Sequence, residues 1–250
     1  MIRTFLALLF AIAYCVIGSP GLLYQNQLHK KNPEKSDIQS LHMVQWAFRV
    51  IYKLCGVRVT VKGKENIPQG QAVLYAANHN SYFDIIIGYT LCDNLTGFIA
   101  KDSIGKVPFL RGWMIRLHCL FMDRKDVKQS LKIIKDSAQM IRDGISVWIF
   151  PEGTRGESEE MLEFKEGSFK MAERTGCPVV PVAITNTRYI IKNNIPLLHH
   201  TSVEFEFCEP IYPKELPREE RKTLGAKSRA AIAEKTKKNA VPEAPGGTET

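Results

Sequence analysis

Apolar and polar positions change their rhythm twice along this 250-residue chain. From Phe5 to Val16 the residues are apolar almost without a break, and Arg3 is the only charge before Lys30. Extended through Ile17 to Leu23, the run approaches the roughly 20 residues that span a bilayer, but Gly18-Ser19-Pro20-Gly21 interrupts it. From Ile38 to Leu54 the rhythm is helical: Leu41, Val44, Phe48, Ile51 and Leu54 recur at three- and four-residue steps and form one stripe. Such a stripe packs on a protein core or docks on a membrane surface, and with Trp46 and Tyr52 beside it both stand open. After that the apolar runs shorten. Val57–Val61, Ala72–Ala77, Phe98–Ala100, Leu117–Met122, Val147–Phe150, Val179–Ile184 and Val203–Phe207 are bounded by Gly, Pro or charge and predict strands. Helices are expected between them, from Tyr82 to Leu91 and from Asp126 to Asp143. In the second, Val127, Leu131, Ile134, Ala138 and Ile141 share a face, and Gly144 stands where a helix-ending glycine belongs.

Strands alternating with helices predict an α/β fold, a mixed and mostly parallel sheet covered by helices, preceded by an N-terminal membrane-docking helical pair. The division this implies is 1–55 for the anchoring helices, 56–238 for the α/β domain and 239–250 for a disordered tail. Residues from Lys214 to Lys238 read as a charged terminal helix, and the Pro-, Gly- and Glu-rich stretch from Ala240 does not favour structure. There is no internal repeat.

Composition refines this only in places. A net charge of +8 favours polyanionic partners: nucleic acid, anionic lipid, coenzyme A or an acidic carrier protein. The six cysteines, at 15, 55, 92, 119, 177 and 208, form no C-x-x-C pair, which fits reduced thiols packed as small apolar residues. His199-His200 has no Cys or acidic partner at ligand spacing, so no metal is expected. For the N-terminal run a signal peptide competes with an anchor, but no small-x-small cleavage site follows it. Lys30, Lys31 and Lys35 after the run place the main body on the cytoplasmic face of a membrane. Compact size and the absence of organelle signals favour a bacterial inner membrane over the endoplasmic reticulum, where a similar chain would also fit.

Two segments carry chemistry. Asn78-His79-Asn80-Ser81-Tyr82-Phe83-Asp84 follows a buried strand and puts an imidazole five residues before a carboxylate. Inside a continuous helix those side chains would diverge by about 140°. With His79 in the turn and Asp84 in the first helical turn they can meet, and a carboxylate on one ring nitrogen leaves the other free to accept a proton. The same residues also fit a capping box, Ser81 as N-cap with Asp84 reaching back to its N–H. The second segment, Phe150-Pro151-Glu152-Gly153-Thr154-Arg155, opens a strand into backbone N–H groups, a hydroxyl and a forked guanidinium, which suits phosphate oxygens, though a plain turn with a solvated Arg155 fits as well. Both segments begin at strand carboxyl ends, where open α/β sheets bind ligands. Between them lie Lys101, Lys106, Arg111, Arg116 and Arg124, interleaved with Phe109 and Trp113. There is no G-x-S-x-G elbow and no cysteine stands out as a nucleophile.

These blocks resemble the glycerolipid acyltransferase family. Asn78–Asp84 is similar to its histidine–aspartate block, Leu120-Phe121-Met122-Asp123-Arg124 to its second block without the usual leading glycine, Phe150–Arg155 to its third, and Val180-Pro181-Val182-Ala183-Ile184 to its fourth. Lys101 with Pro108 and Gly112 resembles a further lysine-and-proline stretch. The resemblance implies a fatty acyl group moved from acyl-CoA or acyl carrier protein to the 2-hydroxyl of 1-acylglycerol 3-phosphate. It further implies His79 as base, Asp84 as its orienter, and Glu152, Gly153, Thr154 and Arg155 around the acceptor, with Arg155 on its phosphate. Arg124 and Lys101 would be further phosphate contacts. No cofactor or metal is called for, the implied partners are lysophosphatidic and phosphatidic acid in a membrane, and none is nucleic acid.

Overall fold

The computed structural model describes residues 2–123, 125–156, 160–191 and 198–239. Three helices come first: α1 (Ile2–Ile17), α2 (Ser19–Lys31) and α3 (Pro33–Leu54). The apolar run parts at Gly18, and Pro20 falls in the first turn of α2, where a missing N–H breaks no helical bond. No described helix is long and apolar enough to cross a membrane. α3 starts five residues before Ile38, because Asn32 caps it by accepting from Lys35 N at 3.1 Å and Pro33 opens it. Its first turn is polar and so invisible to hydrophobic periodicity. The stripe itself faces inward: Leu41 and Val44 are buried, and Phe48, Ile51 and Leu54 pack on the same cluster as the sheet. The α3 stripe is therefore core, not membrane surface.

Seven strands follow: β1 (Val57–Lys62), β2 (Leu74–Ala77), β3 (Thr96–Lys101), β4 (Leu120–Met122), β5 (Ser146–Ile149), β6 (Val179–Thr185) and β7 (Thr201–Phe207). They form one sheet in the order β1-β7-β6-β2-β5-β3-β4. Every neighbouring pair is parallel except β6 with β7. The remaining helices are α4 (Phe83–Leu91), α5 (Pro108–Arg116), α6 (Val127–Arg142), α7 (Lys170–Thr175) and α8 (Leu224–Asn239).

Period-2 alternation divides the apolar strands between two cores. Tyr75, Ala77, Trp148, Val180, Val182 and Ile184 point to the side covered by α1, α3, α4 and α5. Leu74, Ala76, Val147, Ile149, Val179 and Ala183 point to the side covered by α6, α7 and α8. A strand buried on both faces reads as an unbroken apolar run, as β2, β5 and β6 do. The five described cysteine side chains are free and buried, and burial raises the thiols of Cys55 and Cys208 to about 11 and that of Cys92 to about 12, so none is a nucleophile at neutral pH.

Three expected elements differ. On α6, Val127 and Leu131 are exposed rather than core, while Ile133, Ala138 and Ile141 are buried, the last two in the cluster on this side of the sheet. The terminal helix begins at Leu224, not Lys214, since Pro213 and Pro217 keep the preceding chain in turns. Its free N–H groups are met by Glu166, whose carboxylate accepts from Gly225 N and Ala226 N at 2.8 Å each. Residues 117–119 turn through His118 at φ 56° instead of opening β4. The tail from Ala240 lies outside the described residues.

Candidate active site

β2 lies between β5 and β6, so the loops leaving the carboxyl ends of β2, β5 and β6 are neighbours. Asn78, the first residue past β2, is pinned to β6 by its side chain: Oδ1 accepts from Ile184 N and Nδ2 donates to Ile184 O, each at 2.8 Å. It prolongs the strand ladder by one rung and sets where the chain turns. His79 follows in that turn, and α4 begins at Phe83.

Asp84 is fully buried in the first turn of α4, and its Oδ2 is the focus of the loop. It accepts from His79 Nδ1 at 2.9 Å, from Asn80 N at 2.7 Å and from Ser81 N at 2.7 Å. The cap and the imidazole partner are thus one oxygen, and the two readings of this segment coincide. With Nδ1–H given to the carboxylate, Nε2 of His79 carries the free lone pair. The side chain is 10% exposed, and its ring stacks on Phe150, with centroids 4.1 Å apart at 21°. That packing holds the imidazole plane.

The loop after β5 is joined to this one at several points. Glu152 Oε1 accepts from His79 N at 2.7 Å, and Oε2 accepts from Leu162 N at 2.9 Å. Burial pushes the Glu152 carboxyl up, and the two N–H bonds and the neighbouring imidazole pull it back. Both oxygens serve the backbone, so Glu152 ties the two loops to the chain at 162. Gly156 N donates to His79 O at 2.9 Å. Arg188, in the 3₁₀ turn after β6, donates through Nη2 to Asn80 Oδ1 and to Gly156 O, both at 3.2 Å. Finally the Arg155 guanidinium lies 4.0 Å from the centroid of the Tyr82 ring, a cation–π contact that steadies an exposed side chain beside the histidine loop.

Of the residues singled out in the sequence, His79, Asp84, Glu152, Gly153 and Arg155 come together on this one edge, with Thr154 exposed between the last two. Lys101 stands exposed at the end of β3, two strands from β2. Arg124 lies outside the described residues. The cationic stretch between the segments is divided up by the fold. Arg116 faces buried Asp37 at 3.7 Å, Arg111 reaches Gly105 O and lies over Phe121, and Lys106 approaches Asp102 at 3.9 Å. Asn78 and Phe150 stand in the two motif segments without a role expected of them, and Arg188 lies outside every motif. Arg188 had no signal at all, since its importance depends on β6 lying beside β2.

Behind Phe150 is a largely apolar cavity of about 210 Å³ between the sheet and α6, lined by Ile99, Met122, Ile134, Ile149 and Met171 among others. Phe150 is its wall on the side of His79. The edge therefore offers an oriented base, a guanidinium and an apolar recess within two adjoining loops.

Residues 58–185, half of the chain, match the Acyltransferase family. The chain is 33% identical over 158 residues to the 1-acyl-sn-glycerol-3-phosphate acyltransferase of Borreliella burgdorferi, covering 62% of this chain and 63% of that one. It is 28% identical over 234 residues to the enzyme of that name from Salmonella typhimurium, covering 93% and 91%. It spans 48% of the chloroplastic BAT2 relative from Brassica napus, at 32% identity over 170 residues. The crystal structure of the 1-acyl-sn-glycerophosphate (LPA) acyltransferase PlsC from Thermotoga maritima superposes with a TM-score of 0.80 at 26% identity, covering 97% of each chain. With its histidine–carboxylate pair and glycine–arginine turn carried on this sheet, the chain belongs to the Acyltransferase family.

Proposed function

We propose that the protein moves a fatty acyl group from an acyl thioester, carried by coenzyme A or acyl carrier protein, to the 2-hydroxyl of 1-acylglycerol 3-phosphate, yielding phosphatidic acid. The observation that supports this most directly is that His79, its imidazole oriented by Asp84, is bonded through its backbone N–H and C=O to the loop that carries Arg155. His79 Nε2 takes the hydroxyl proton as that oxygen attacks the thioester carbonyl. The tetrahedral oxyanion collapses, the carbon–sulfur bond breaks, and His79 returns the proton to the departing thiolate. Asp84 offsets the charge of the transient imidazolium. Donor and acceptor held together need no acyl-enzyme, because positioning alone makes the attack unimolecular. Arg155 holds the acceptor's phosphate, and the recess behind Phe150 takes an acyl chain.

An acceptor series tests this reading. Offered one thioester donor, the purified protein is expected to acylate 1-acylglycerol 3-phosphate with a kcat/KM at least about tenfold above that for monoacylglycerol, since a guanidinium–phosphate pair contributes more than a neutral contact. The value is also expected to exceed that for glycerol 3-phosphate, which keeps the phosphate but has no acyl chain for the apolar recess. Equal values with and without the phosphate would retire the assignment.

The greasy N-terminal helices serve, in the same reading, to bring the site to lipids that live in a bilayer, from its cytoplasmic face. Phe5, Leu8, Leu9, Ile12 and Val16 recur on one side of α1 and are 51–65% exposed, while the opposite side packs through Phe10 and Tyr14 on Trp46 and Trp113. A helix presenting such a face lies in the membrane surface. Flotation with vesicles of anionic phospholipid is expected to recover the wild-type protein, and a Leu8→Asp/Ile12→Asp double variant is expected to bind about tenfold more weakly or less. Unchanged flotation of that variant would locate the membrane contact elsewhere.

A further inference from the structure

We infer that Lys165 is a second cation of the phosphate site, an inference that rests on the acceptor assigned above. Ten residues separate it from Arg155 in sequence, but the fold returns it to the same turn. Lys165 N donates to Pro151 O at 3.0 Å, which lays residue 165 alongside the glycine–arginine turn. The flanking chain is held firmly: Phe164 and Phe169 are buried, Glu166 caps α8, and Arg229 grips Met161 O and Leu162 O at 2.7 and 3.0 Å. From this anchored base the side chain crosses Gly153. A Cβ built on Gly153 would lie 2.7 Å from Lys165 Nζ and 3.1 Å from Cε, so the ammonium occupies the space that glycine leaves. Gly153 thus serves twice, once for its φ of 80° and once as the seat of a cation.

Lys165 also lines the apolar cavity, where it stands with Gly153 against Phe150 and the aliphatic wall. Among the described residues its ammonium has no hydrogen-bond or ion-pair partner. Lys62, Lys64 and Lys235, by contrast, each pair with an acid. An unpaired ammonium resting on a glycine turn, one residue beyond a buried Phe and at the rim of an apolar recess, matches a ligand with a phosphate monoester close to an acyl chain. Arg155 approaches that ester from the Tyr82 side and Lys165 from the cavity side. Two cations on one dianion divide its charge better than either does alone.

Lys165→Met keeps length and removes charge, and the exposed side chain gives the fold no reason to fail. The KM for 1-acylglycerol 3-phosphate is expected to rise about 10- to 100-fold, the loss of one charged hydrogen bond, while the KM for the donor stays within about twofold. Lys165→Arg is expected to recover most of the affinity, which a merely structural residue would not show. The same variants are compared by direct binding, with 1-acylglycerol 3-phosphate and monoacylglycerol presented in mixed micelles. Wild type is expected to bind the phosphorylated lipid at least about tenfold more tightly than Lys165→Met, and the two proteins are expected to bind monoacylglycerol equally. Phosphorylated-lipid binding unchanged by Lys165→Met overturns the inference. If wild type binds that lipid through Lys165 but transfers nothing to it, the acyl-transfer assignment fails and the cation site stands.

Discussion

His79→Ala is expected to lower kcat/KM for acyl transfer by on the order of 10²–10⁴ while the protein stays folded and still floats with vesicles. The separation of effects follows from which atoms hold the loop. The bonds from His79 N to Glu152 and from Gly156 N to His79 O belong to the backbone and survive the substitution. So do the bonds that Asn80 N and Ser81 N make to Asp84. The variant loses only the imidazole, its single bond to Asp84 and its stacking on Phe150. Thermal and urea unfolding should therefore show a domain weakened by no more than about 3 kcal/mol. A rate within threefold of wild type would show that the reacting hydroxyl loses its proton elsewhere, and the proposed mechanism would fall with it.

How much of this was legible in the sequence depends on the range of the interaction concerned. Strands β2, β5 and β6 were recognisable because burial on both faces makes their runs continuous, and α6 ended where Gly144 required. His79 and Asp84 were legible because five residues, a turn and one helix start suffice to close their contact. What failed was long-range or unperiodic. The polar first turn of α3 gave hydrophobic periodicity nothing to find. Val127 and Leu131 have helical spacing, but both are left exposed at the start of α6, and spacing alone cannot tell a covered turn from an uncovered one. α5 went unrecognised because its arginines read as a cationic surface, although Arg116 turns inward to Asp37. Arg188 and Lys165 matter only once β6 lies beside β2 and residue 165 beside Pro151, and neither adjacency is encoded locally. Glu152, expected near the acceptor, has both oxygens on backbone N–H groups, a bonding that only the folded loops bring about.

Asp84→Asn separates the two tasks that one carboxylate oxygen performs. All three bonds to Asp84 converge on Oδ2, while the buried Oδ1 has no hydrogen-bond partner among the described residues. An asparagine can therefore place its carbonyl oxygen where Oδ2 stands and keep accepting from His79 Nδ1, Asn80 N and Ser81 N. Its NH₂ then takes the position of Oδ1 as a buried unpaired donor, at a cost of about 1–3 kcal/mol. The loop, the tautomer and the start of α4 are retained; what disappears is the negative charge behind the imidazole. If that charge stabilises the imidazolium formed as the hydroxyl attacks, acyl transfer should fall by on the order of 10² or more although the protein unfolds only slightly earlier. Asp84→Ala removes the acceptor as well, leaving buried N–H groups unpaired, and should lose both activity and several kcal/mol of stability. Activity in Asp84→Asn within a few-fold of wild type, with Asp84→Ala unstable, would make this residue a helix cap alone, and the imidazole would have to work without a counter-charge.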